Sequence, residues 1–126
     1  MNSTFNASAA AARYKGVQVK TCSPVQLLVM LFDGAMRFAG EAEAAMAVRD
    51  WARSGERIAK VHAILVELAS TLDREQAPEL CDNLLAIYSF CMTHLVEANL
   101  HRDPKRLRDV VAALIPLREG FAGISV

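Results

Sequence analysis

The chain has 126 residues, a length that suits one domain with a core of its own. Its 14 Lys and Arg balance 14 Asp and Glu, so the formal charge is zero, whereas a protein built to grip nucleic acid or an anionic membrane needs a basic excess. Apolar residues reach 53%, with 21 Ala and 14 Leu against 6 Gly and 4 Pro. Such helix formers with few turn signals predict an all-α, soluble chain.

Residues 1–22 carry Arg13, Lys15 and Lys20 and no acid, and lack a sustained apolar period. They read as a flexible N-terminal arm, with residues 23–126 as the helical bundle domain. No basic leader with an apolar run is visible, and no stretch reaches the ~18 apolar residues of a membrane span. The first helix begins at Ser23-Pro24-Val25-Gln26. Ser suits the N-cap, Pro the first helical position, and Gln three residues after Ser completes a capping box. Leu28, Leu31, Ala35, Phe38, Ala42 and Ala45 then recur in steps of three and four. A second stripe runs Val25, Val29, Phe32, Met36, Ala39 and Met46, so this helix is predicted to be central or to carry an extra binding face.

Asp50 suits the start of a second helix whose stripe is Trp51, Ser54, Ile58, Val61, Leu65, Leu68 and Leu72. After a polar break, Pro78 opens a third, with Leu80, Leu84, Ile87, Cys91 and Ala98 on one stripe and Cys81, Leu85, Tyr88, Met92 and Leu95 beside it. Asp103-Pro104 ends it and caps a fourth, marked by Leu107, Val110, Leu114, Leu117, Phe121 and Ile124. Pro116 inside the fourth removes the bond to Ala112 and predicts a kink. Short connections force antiparallel neighbours, hence an antiparallel up-down four-helix bundle.

Nothing marks an enzyme. His101-Arg102-Asp103 imitates a kinase catalytic loop without its glycine loop or partner Asn. His62, His94 and His101 never fall at the Glu-x-x-His spacing of di-iron bundles. His94 reads as a satisfied histidine on the core side of the third helix. Cys22, Cys81 and Cys91 are odd in number, contain no C-x-x-C and suit a reducing compartment. Lys105-Arg106-x-Arg108 beside Asp103 and Asp109 reads as a solvated face. Gly34 and Gly40 within the first helix point to close packing or to the approach of another segment. These features expect no cofactor and no metal, and a surface that binds another polypeptide.

A series of short motifs follows the chain in order. Tyr14 precedes Thr21-Cys22-Ser23-Pro24-Val25-Gln26-Leu27, then Met30-Leu31-Phe32-Asp33-Gly34-Ala35 and Arg37-Phe38. Glu67-Leu68, Leu72-Asp73, Asn83-Leu84-Leu85-x-x-Tyr88, Leu95-x-x-Ala98-Asn99 and Leu117-Arg118 follow. This order of motifs resembles the flagellar secretion chaperone family FliS over about residues 13–122; Ser23, Pro24, Gln26 and Leu27 followed by Leu31, Phe32, Asp33, Gly34 and Ala35 carry it most specifically, and the later motif residues, Tyr88 and Asn99 among them, are weaker alone but fall in the expected order. Phe32 stands where the family usually has Tyr, Phe121 where Trp is common, and Pro116 is unexpected.

The resemblance implies a bacterial cytosolic chaperone that binds the disordered C-terminal segment of flagellin, blocks premature polymerisation and assists delivery to the flagellar export gate. It implies a client groove, for which Leu27, Leu31 and Phe38 on the first helix are expected, covered in the free chain by the arm bearing Tyr14. The same groove can accept the arm of a second subunit, which would give a homodimer. The competing readings are an adaptor for a different amphipathic helix and a bundle that holds a small molecule or metal.

Overall fold

The computed structural model describes residues 23–124. Among these, four helices follow in order: α1 (Pro24–Ala47), α2 (Trp51–Ser70), α3 (Pro78–His101) and α4 (Pro104–Ala122). The arm at residues 1–22, with Tyr14 and Cys22, lies outside the described residues.

Local chemistry sets the helix starts. Ser23 Oγ accepts from the Gln26 N–H at 3.1 Å, and Gln26 Oε1 accepts from the Ser23 N–H at 2.8 Å, so the capping box is complete. Asp50 Oδ1 accepts from the Arg53 N–H and Asp103 Oδ1 from the Lys105 N–H, which satisfies orphan amides at the starts of α2 and α4. α3 starts on Ala77 with no side-chain cap, its first turn led by Pro78. α4 runs through Pro116 without a break; Ala112, whose carbonyl loses a donor, is exposed, so water can take that bond.

The helices form a square in which each touches only its two chain neighbours around the ring, α1 closing on α4. With connections of a few residues this gives the expected antiparallel up-down bundle. α1 packs most widely, on α2 and then on α4, and the α2–α3 seam is the thinnest. Both apolar stripes of α1 are therefore used inside the bundle. Phe32, Ala39 and Met46 are buried with Leu28, Leu31, Ala35 and Ala42, while Val25, Val29 and Met36 pack against that core. Phe32 lies near the centre, its ring 5.7 Å from Phe121 and 6.5 Å from Tyr88, within the spacing of favourable aromatic pairs. From the fourth-helix stripe, Leu107, Val110, Leu114 and Phe121 are buried, and Ile124 lies past the helix end in solvent.

Candidate functional site

The family-motif residues divide by role. Ser23 and Pro24 start α1. Asp33 reaches across to α4, where Arg118 Nε and Nη2 donate to its two oxygens at 2.9 and 3.4 Å. Gly34 faces α2, where an added Cβ would make an ordinary contact, 3.5 Å from Ile64 Cδ1, so the packing would also admit alanine. Tyr88 is buried in the core. Asn99 lies in an open concavity between α2 and α3.

That concavity is an apolar groove of about 440 Å³ along the thin α2–α3 seam. Gly55, Ile58, Ala59 and His62 line it from α2, and Leu95, Val96, Asn99 and Leu100 from α3. Ile58 and Leu95 form its buried floor, whereas Val96 and Leu100 stand 60% and 73% exposed on its wall. Small residues make the groove. Gly55 and Ala59 leave unfilled the space that larger side chains on α2 would take, and a Cβ at Gly55 would still be 3.6 Å from Asn99 Oδ1. The groove is not built for catalysis: apart from His62 it is lined by apolar groups and one amide. Among the described residues no three His, Cys, Asp or Glu side chains cluster as metal ligands.

The residues expected to line a client groove on α1 are placed differently. Leu31 belongs to the continuous core. Leu27 is only 1% exposed, yet it is not among the residues of that core cluster. Phe38 is half-buried at the α1–α2 seam, under a ring of cations: Arg37, Lys60 and Arg57 lie 4.9, 5.6 and 6.0 Å from its ring centre. Glu41 gathers two of them, with Arg57 Nε at 2.7 Å and Arg37 Nε at 3.8 Å. Tyr14, the expected cover, falls outside the described residues. Sequence reading missed Gly55, Ala59, His62, Val96 and Leu100. The available signal was Val96 and Leu100, apolar residues one turn apart and off the core stripe of α3.

Two smaller expectations change or hold. His94 is not on the core side; it sits half-buried at the α3–α4 edge, because the core stripe of α3 runs through Tyr88, Cys91, Leu95 and Ala98. Its Nδ1 lies 3.0 Å from the Phe90 carbonyl, its Nε2 3.6 Å from Asp109 Oδ2, and its ring stacks near Phe90. The basic run is a solvated face as expected: Lys105 pairs with Asp109, Arg106 with Glu97 and Arg108 with Glu43. No helix of the described residues is long and apolar enough to cross a membrane.

Known proteins resemble the chain over most of its length. The sequence model of the family described as "Flagellar protein FliS" matches residues 6–126. The chain is 33% identical over 108 residues to the flagellar secretion chaperone FliSB of Pseudomonas aeruginosa, covering 86% of each chain. It is 32% identical to the flagellar secretion chaperone FliS of Salmonella typhimurium, over 85% of this chain and 80% of the relative. The corresponding protein of Bacillus subtilis is 31% identical, over 86% and 80%. These relatives are named as chaperones, a role without a catalysed reaction. The chain belongs to the FliS family of flagellar secretion chaperones.

Proposed function

We propose that the protein is a cytosolic export chaperone whose client is the disordered C-terminal segment of flagellin. It holds that segment off the polymerisation pathway and presents flagellin to the export gate. The observation that carries this reading is an open apolar groove, in a chain whose relatives are named flagellar secretion chaperones. A segment that folds as it binds typically buries ~1,000–3,000 Å² and spends ~2–5 kcal/mol on ordering. One groove of this size is too small for that, so the client wraps over more than one seam. Leu27 and Phe38 supply the second contact on the α1–α2 side, next to Leu31, once the client displaces whatever covers Leu27 in the free chain. The arm with Tyr14 is the proposed cover, and a second subunit's arm is the proposed route to a homodimer. With no nucleotide chemistry in the proposal, release follows from handover to a competing partner.

The test is a seeded polymerisation assay on monomeric flagellin. Stoichiometric protein is expected to suppress filament growth, measured by light scattering. Growth at the uninhibited rate would remove flagellin as the client and favour an adaptor for another helix.

A further inference from the structure

The zero formal charge of the chain hides a separation along the bundle axis. In the up-down arrangement the α1–α2 and α3–α4 turns share one end of the bundle, and the α2–α3 turn lies at the other. Over residues 73–82 of that far end, Asp73, Glu75, Glu79 and Asp82 outnumber the single cation Arg74. The near end is basic. Residues 48–53 and 100–105 carry Arg49, Arg53, Arg102 and Lys105 against Asp50 and Asp103, and both of those carboxylates accept from backbone amides as helix caps.

The arginines of the near end differ from the others. Six of the nine arginines among the described residues pair with a carboxylate: Arg37, Arg57, Arg74, Arg106, Arg108 and Arg118. The three that do not, Arg49, Arg53 and Arg102, all sit at the basic end. Arg49 and Arg102 also hold left-handed turns, with φ +61° and +53°. Glycine takes that conformation without the clash a side chain meets, so both turns keep a charge against their local geometry. Beside them stand Val48 and Leu100, 75% and 73% exposed, the most exposed large apolar side chains of the described residues. The guanidinium of Arg102 lies 4.5 Å over the Trp51 ring, which joins the two turns into one surface.

Cations and apolar tips on two separate turns match an extended anionic surface; a lone acidic side chain meets one arginine at a time. A bilayer with anionic headgroups offers phosphates to the arginines and, just beneath, an apolar layer to Val48 and Leu100. The same surface repels the acidic end and so keeps the bundle end-on. No helix of the described residues can cross a membrane, so the contact is peripheral.

We propose that the end formed by the α1–α2 and α3–α4 turns docks on an anionic membrane surface, with Arg49, Arg53 and Arg102 on the headgroup phosphates and Val48 and Leu100 entering the headgroup layer. The proposal does not depend on the identity of the client.

The full chain is sedimented with vesicles of phosphatidylcholine alone and of phosphatidylcholine mixed with phosphatidylglycerol. Retention is expected on the phosphatidylglycerol vesicles only, and it should fall as salt rises. Each arginine at such a surface favours binding about fivefold, so the double variant Arg49→Gly/Arg102→Gly is expected to lower the partition coefficient about 25-fold. Glycine suits both left-handed turns, so its thermal unfolding should stay near that of the wild type. Arg53→Gln, on an exposed helical position, should cost about fivefold, and Val48→Ser, which exchanges an exposed apolar tip, about threefold. Arg74→Gln at the acidic end should leave retention unchanged; a loss as large as that of the double variant would make total charge the cause and overturn the proposal. Residues 1–22 carry three cations too, so retention of the double variant equal to the wild type would assign the contact elsewhere and overturn it. Wild-type chain left in solution at low salt also overturns it, and capture on immobilised polyglutamate in its place would assign this end to an acidic polypeptide.

Discussion

Replacing Gly55 by Leu should move stability and binding in opposite directions. Gly55 lies in the second turn of α2, where a glycine costs ~1 kcal/mol of helix stability relative to alanine or leucine. The position is open to a side chain, since the nearest atom to an added Cβ is Asn99 Oδ1 at 3.6 Å, an ordinary contact. For a 126-residue chain unfolding with ~2.1 cal/mol/K per residue, ~1 kcal/mol raises Tm by about 4 °C. The added carbons meanwhile occupy the groove and displace one apolar client side chain. That anchor is worth ~1.5–3 kcal/mol, roughly a ten- to hundredfold loss of affinity. Thermal unfolding by circular dichroism and calorimetry with a flagellin C-terminal fragment measure the two effects. Because the variant is expected to be more stable, weakened binding cannot be blamed on unfolding. A lower Tm would refute the account of the α2–α3 packing, and unchanged affinity would refute the groove as a client site.

Phe32→Ala should leave a cavity at the centre of the bundle, beside Phe121 and Tyr88, and cost ~3–5 kcal/mol in urea unfolding; a loss under ~1 kcal/mol would show that the core is not organised around this ring. Asp33→Asn removes a half-exposed ion pair with Arg118 and should cost no more than ~1 kcal/mol, shrinking at high salt; a large salt-independent loss would contradict this. Burial raises the Cys91 thiol from its ordinary 9.0 to about 11 and pushes the Tyr88 hydroxyl up as well. Between those pH values the unfolded chain has lost the thiol proton and the folded chain keeps it. Unfolding free energy should therefore fall as pH rises from about 9 towards about 11. Equal stability in urea titrations on either side of that window would disprove it.

The helix starts were legible because their causes are local. Ser23, Asp50 and Asp103 each sit within three residues of the amide they cap, so the sequence alone carries the signal. The core was legible because the stripes through Leu28, Val61, Leu95 and Val110 repeat at helical spacing and are buried in the bundle. What periodicity could not show is how the load divides among the seams. The two stripes of α1 read as more apolar surface than a bundle needs, yet α1 is flanked by its two broadest neighbours and uses both. An open groove lies along the α2–α3 seam, and it opens through an encounter of Gly55 and Ala59 with residues some forty positions away. His94 was misplaced for a related reason: on a 24-residue helix apolar over much of its surface, the core direction is fixed by its neighbours, and the buried stripe passes beside it.

The central claim is that the client is the C-terminal segment of flagellin, and size-exclusion chromatography with light scattering on two flagellins tests it most directly. Full-length monomeric flagellin should form a complex with this chain, and flagellin lacking its C-terminal segment should elute unbound. Equal complex formation by both, or by neither, would contradict the account.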